Sequence, residues 1–144
     1  FNILTKKNVY VKDELFATLD TKISKIFLGE QKATIIDTVG FISKIPIQLI
    51  DAFKATLEEV NESDVLINVV DINDINFRDK IKITKSVLLS TGVSDEKIKN
   101  MITVYNKIDT FRDREFKNTK NRIYLSALNG KGVEEFRNIL SENH

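Results

Sequence analysis

Two nearly unbroken apolar runs, each ending in polar residues, constrain this chain more than any other feature. They are VLINVVD at 65–71 and ITVYNKID at 102–109. Strands buried on both faces have this character, and parallel sheets covered by helices produce them. KATIID at 32–37 is a third such run. With the residues before it, it forms KISKIFLGEQKATII, two β-rich stretches around Gly29-Glu30 that predict an antiparallel hairpin. RIYLS at 122–126 predicts a short fifth strand. Helical patterns lie between the strands. After Pro46, a residue suited to a first helical turn, Leu49, Ile50, Phe53, Leu57 and Val60 make one apolar stripe. Ile81, Val87 and Leu88 mark a second helix that Gly92 is placed to end, and Val133, Phe136, Ile139 and Leu140 mark the last. The alternation predicts a three-layer α/β domain with a mostly parallel sheet. Residues 7–20 read as a loop. There is no internal repeat, low-complexity tract or linker.

Composition narrows the chemistry. A length of 144 residues suits one domain, and 42% hydrophobic residues are enough for a core. Charged residues make up 30% of the chain but nearly cancel, leaving +1. That balance argues against a general polyanion-binding module, although a local basic patch stays open. Without cysteine there is neither a disulfide framework nor a thiolate metal site, which suits a reducing compartment such as the cytoplasm. The single histidine, His144, leaves no basis for a histidine triad or zinc site and reads as a terminal residue. No apolar run approaches the roughly 18 residues of a membrane span, and no signal peptide is visible.

In open α/β sheets, ligands bind beyond the carboxyl ends of the strands. Here those ends carry Asp37, Asp71, Asn106-Lys107-Asp109 and Ser126-Ala127. NKID at 106–109 is the most informative. The Asp109 carboxylate can accept two parallel hydrogen bonds from guanine, at its ring N–H and exocyclic amine. Adenine lacks that donor pair, and a wrong base leaves the charge unpaired. Asn106 can reach the other base edge and tie neighbouring loops together, and the Lys107 stem can lie on the flat face of the base. In SALNGKG at 126–132, a backbone N–H near Ala127 can donate to the base carbonyl. In DTVGF at 37–41, Asp37 ends a strand where a carboxylate can hold Mg2+ through water. Gly40 lets a backbone N–H approach a phosphate. The order of these motifs is that of a GTP site with DTVGF as phosphate sensor. Taken singly, each has a plainer reading: NKID as a helix start, Ser-Ala as a strand-to-helix turn, Asp37 as a strand end, Thr18 as a loop hydroxyl and Asp71 as a strand-end cap.

Together LFATLD (15–20), DTVGFISKIP (37–46), AFKATLEEV (52–60), VVD (69–71), NKID and SALNGKG resemble the G domain of HflX-type ribosome-associated GTPases over nearly the whole chain. NKID says only GTPase; LFATLD, DTVGFISKIP and AFKATLEEV carry the specific likeness. The resemblance implies a P-loop NTPase-like G domain that binds GTP or GDP with Mg2+, hydrolyses GTP and partners the ribosome, through its large subunit. By resemblance, Thr18 is the first-switch threonine that ligates Mg2+, and Asp37 and Gly40 belong to the second switch. Asn106, Lys107 and Asp109 read guanine, with Ser126 and Ala127 in the final loop. Phe41 stands where many GTPases carry a water-orienting glutamine. A phenyl ring cannot orient water, so hydrolysis is expected to need another group or a partner.

The family's G-x-x-x-x-G-K-[ST] phosphate loop does not occur in these residues. FNILT at 1–5 looks like the helix that follows it, so residues 1–144 are expected to form a partial G domain lacking the first strand and phosphate loop. Losing about three charge-assisted hydrogen bonds is expected to weaken GTP binding by about 10³-fold or more and to leave this chain inactive alone. The missing strand is expected mid-sheet, between ATIID and VLINVVD. Its loss exposes edges that invite self-association. Two rival readings stay in view. One is a phosphoacceptor receiver-like domain using Asp71 and Lys107. The other is a non-catalytic ribosome or RNA docking module using Lys80, Lys82, Lys85, Lys97 and Lys99, whose plainer reading is a solvated helix face.

Overall fold

The computed structural model describes residues 1–6, 22–37, 60–112 and 114–142. They fall into two compact units, residues 1–63 and 64–144.

In the first unit a short helix, α1 (Asn2–Thr5), buries Leu4 and is ended by Lys6 in the left-handed region at φ 54°. It packs on β1 (Lys22–Leu28), which pairs antiparallel with β2 (Gln31–Asp37) from Lys22↔Asp37 to Leu28↔Gln31. The two-residue loop carries Gly29 at φ 62° in its first position, where the tightest hairpin turns of the II′ kind require glycine. Alternation then sorts the faces. Ser24, Ile26, Leu28 and Ala33 are buried, while Ile23 and Phe27 face out. The hairpin read around Gly29-Glu30 is therefore observed.

The second unit holds a three-stranded parallel sheet in the order β3 (Ile67–Asp71), β4 (Ile102–Asn106), β5 (Arg122–Tyr124). The register runs Ile67↔Ile102 to Asp71↔Asn106 and Thr103↔Arg122 to Tyr105↔Tyr124. Parallel neighbours need a crossover, here α2 (Phe77–Ser90) followed by α3 (Asp95–Asn100). α2 packs on β3 and α3 and ends at Gly92, whose φ is 90°. Ser94 caps α3 by accepting from the Lys97 N–H at 3.3 Å, with Asp95 and Glu96 in the favourable first turn. The chain closes with α4 (Val133–Glu142), which buries Val133, Phe136 and Leu140 along one stripe. Ile102, Val104, Ile123, Leu125, Leu88 and Ile98 complete the core. Among the described residues no helix is long and apolar enough to cross a membrane.

This is an α/β fold with antiparallel and parallel strands, as a P-loop NTPase-like G domain requires. The described strands form two sheets, β1-β2 and β3-β4-β5, and β2 and β3 are not hydrogen-bonded to each other, in keeping with the expectation that they are not direct neighbours. Two details differ from the sequence expectation. First, β4 stops at Asn106 rather than running through NKID. Lys107 is left-handed at φ 70°, and a 3-10 turn follows at Ile108–Thr110. Second, α3 was not anticipated. Most of the helix expected after Pro46 and the loop at 7–20 lie outside the described residues.

Candidate functional site

The carboxyl ends of β3, β4 and β5 converge on one network of side chains in the second unit. Ser126 follows β5 and is fully buried. A buried hydroxyl needs partners, and it has two. It donates to Asp109 Oδ1 at 2.5 Å and accepts from the Asn129 N–H at 3.3 Å. Asn106, last residue of β4, accepts through Oδ1 from the Ala127 N–H at 2.9 Å. These two bonds join the NKID loop to the SALNGKG loop. Ile108 is buried beneath the site, and its N–H donates to the Leu125 carbonyl at 3.3 Å. Asp109 is only half-buried.

The second loop is held by its own backbone. The Ser126 N–H donates to the Lys131 carbonyl at 2.9 Å, the Gly130 N–H to the Ser126 carbonyl at 3.0 Å, and the Lys131 N–H to Asn129 Oδ1 at 3.0 Å. Ala127 is left exposed at the rim.

On the other side, Lys107 Nζ lies 2.8 Å from Asp71 Oδ2 at the end of β3. Burial alone would push the Asp71 carboxyl up. The hydrogen bond from Lys107 and those from the Asn73 N–H and side-chain amide outweigh it and hold the carboxyl below its ordinary value. The Thr110 hydroxyl sits 2.9 Å from both Asn73 Oδ1 and the Lys107 carbonyl. Behind the loops, Tyr105 and Tyr124 stack at 4.8 Å, and Phe77 and Phe116 extend the cluster. Burial, and then the neighbouring Tyr124, raise the Tyr105 hydroxyl above its ordinary value.

Asn106, Lys107, Asp109, Ser126 and Ala127 are thus gathered into one place. Asp37 ends β2 in the first unit, half-buried. Thr18, Gly40 and Phe41 lie outside the described residues. Among those described, no group of three or more His, Cys, Asp or Glu side chains gathers into a metal site. Asn73, Thr110 and Asn129 were not singled out from the sequence. The signal was the Asp71-Ile72-Asn73 pattern of an Asx turn. For the docking reading, Lys80 is paired with Asp74, and Lys82 reaches Asp79 at 3.5 Å. Both therefore have acidic partners, Asp74 from the turn before α2 and Asp79 from α2 itself. The receiver reading shares only the Asp71–Lys107 contact and accounts for none of the bonds joining the two loops.

Comparisons with known proteins give the chain its family. The profile of the 50S ribosome-binding GTPase family matches residues 1–107. GTPase HflX of Flavobacterium psychrophilum is 37% identical over 98% of this chain and 40% of its own length. GTPase HflX of Caldanaerobacter subterraneus is 42% identical over 92% of this chain and 30% of its own, and that of Escherichia coli 36% over 99% and 34%. The solved structure of SsGBP in complex with GDP superposes with a TM-score of 0.70 at 27% identity, covering 98% of this chain and 44% of that one. The chain spans well under half the length of these relatives. With the family profile covering most of its residues, and HflX proteins aligned over nearly all of them, the chain belongs to the 50S ribosome-binding GTPases as an HflX-family GTPase domain.

Proposed function

We propose that residues 1–144 form the guanine-binding part of a GTPase domain that, in the intact protein, hydrolyses GTP to GDP and reports its nucleotide state to the large ribosomal subunit in the cytoplasm. One observation carries this reading. The Asn106–Ala127 and Asp109–Ser126 bonds fasten two loops around a half-buried carboxylate at the end of a parallel sheet. Asp109 accepts the guanine ring N–H and exocyclic amine, with Ser126 fixing its orientation. The Lys107 stem covers one face of the base, and the loop at Ala127, whose own N–H is held by Asn106, borders its carbonyl oxygen. Asn106 serves as the tie between loops.

The phosphate end of the site is assigned by family likeness. Thr18 and Gly40 are the switch contacts, and Asp37 with Thr18 holds Mg2+ shared with the nucleotide. Magnesium keeps several waters and takes one or two side chains beside substrate phosphates, so a single strand-end carboxylate fits without a larger acidic cluster. When bound, the ion neutralises charge on the phosphates. Phe41 cannot orient the attacking water, so turnover depends on a group from elsewhere, with the ribosome as the leading source.

Calorimetry on the full-length protein carrying this sequence tests the reading. GDP should bind and ADP should not. Asp109→Asn exchanges an acceptor for a donor. It should weaken GDP by about 10²-fold, from two charge-assisted bonds lost, and shift preference toward XDP, whose C2 oxygen accepts that donor. Equal affinity for ADP and GDP in the unaltered protein would sink the proposal.

A further inference from the structure

We propose that Asp71 is a positioning residue of the guanine site: it anchors the head of Lys107 so that the lysine stem is presented as a preformed platform for the base. The inference rests on the nucleotide-binding reading above and extends it to a residue on a different strand.

The two oxygens of Asp71 have separate tasks. Oδ1 accepts from the Asn73 N–H at 2.9 Å and from the Asn73 amide at 3.1 Å, which is all that a strand-end cap needs. Oδ2 is turned to Lys107 Nζ at 2.8 Å, across the parallel register that sets Asp71 beside Asn106. A cap does not require that second contact. Lys107 is held from its backbone side as well. Its left-handed φ of 70° fixes where the side chain departs, and the Thr110 hydroxyl lies 2.9 Å from its carbonyl. The same hydroxyl is 2.9 Å from Asn73 Oδ1, so Asp71, Asn73, Thr110 and Lys107 form a closed ring of contacts. The Ile72 N–H to Asn106 carbonyl bond, at 3.1 Å, reinforces it.

A lysine stem free in water samples many rotamers and must give them up on stacking against a base. A stem fastened at both ends has given them up beforehand, and affinity gains accordingly. Lys107 is about half exposed, leaving its methylenes available. The base edge is read by Asp109, which Asp71 does not touch. Asp71 should therefore govern how tightly any base of the right shape is held, and not which one.

Asp71→Asn is the discriminating variant, because it keeps an acceptor for the Asn73 N–H while removing the charge facing Lys107. GDP and IDP affinities are measured on the full-length protein by calorimetry, with a thermal melt to verify folding. IDP lacks the exocyclic amine that Asp109 reads. We expect Asp71→Asn to weaken GDP and IDP by the same factor, about tenfold, leaving their ratio unchanged. In a Lys107→Met background, Asp71→Asn should have no further effect. Unchanged GDP affinity in Asp71→Asn overturns the inference while leaving the nucleotide reading intact. So does an equal loss in the Lys107→Met background, which would mean that Asp71 supports the loop and not the lysine. A parent protein that binds neither nucleotide defeats the nucleotide reading, and this inference with it.

Discussion

The Asp71–Lys107 pair is half in water, at 34% and 51% side-chain exposure, so its worth lies in orientation more than in stability. It nevertheless leaves a titration signature. Asp71 has a depressed pKa in the folded protein, so the stabilisation it brings is fully present above the unfolded-state value. That stabilisation is lost as pH falls through the folded value. Neutral solution therefore keeps the pair intact, and the contribution declines as pH falls through the ordinary aspartate value of 3.8 towards the lower folded one. Carboxyl chemical shifts should show Asp71 titrating below that value in the wild type and higher in Lys107→Met, where one of its hydrogen-bond partners and the facing charge are gone. A wild-type midpoint above the ordinary value would mean that burial dominates and the ion pair is absent in solution.

Tight loop closure governs the elements around the site. Gly132 opens α4 at φ 78°, and a Cβ placed there would stand 2.5 Å from the Tyr124 carbonyl oxygen and 3.2 Å from Leu125. β5 and the start of α4 approach so closely that only glycine fits. Gly130, at φ 82°, has open space around the same position. Gly132→Ala should therefore destabilise by about 2–4 kcal/mol, combining backbone strain with a steric clash. Gly130→Ala should cost only about 1 kcal/mol, from the left-handed backbone alone. Urea unfolding compares them directly, and equal costs would show that the loop relaxes around Gly132. The contrast also shows what was readable in the residues. SALNGKG announces a turn between strand and helix, yet nothing in it separates its two glycines, because the difference lies in a carbonyl six or more residues away. The run that became β4 was legible because a parallel strand paired on both sides is apolar on both faces, whereas β3 buries no residue fully and leaves Val69 exposed. NKID was legible as the polar end of a strand, because polar residues interrupt the apolar run there. Where β4 stops was not, since Lys107 in the left-handed region breaks a strand that apolar patterning would have continued. α3 was missed as well, despite a Ser-Asp-Glu start, because it offers only Ile98 to the core. The Tyr105–Tyr124 stack needed the register of β4 on β5, which no local pattern supplies.

At the scale of the whole molecule, the loops proposed to read guanine belong entirely to the second unit, and Asp37 to the first. Base contacts select a nucleotide, but phosphates carry most of its charge. In a GTP site the cradle of backbone N–H groups, the lysine and the Mg2+-binding hydroxyl of G-x-x-x-x-G-K-[ST] meet that charge. The pattern does not occur in these 144 residues. Roughly three charge-assisted bonds from such a loop, at about 1.5–3 kcal/mol each, correspond to about 10³-fold or more in affinity. The 144 residues alone should therefore bind GTP at least about 10³-fold more weakly than the same residues joined to a phosphate loop, and should not turn it over. Selectivity should behave differently, because the proposed function places it in Asp109 and its partners. Whatever weak binding the 144 residues retain should still favour GDP over ADP. Calorimetry and nucleotide competition on the two forms separate these quantities. Micromolar GTP binding by the 144 residues alone would mean that the base loops, and not the phosphate cradle, supply most of the binding energy.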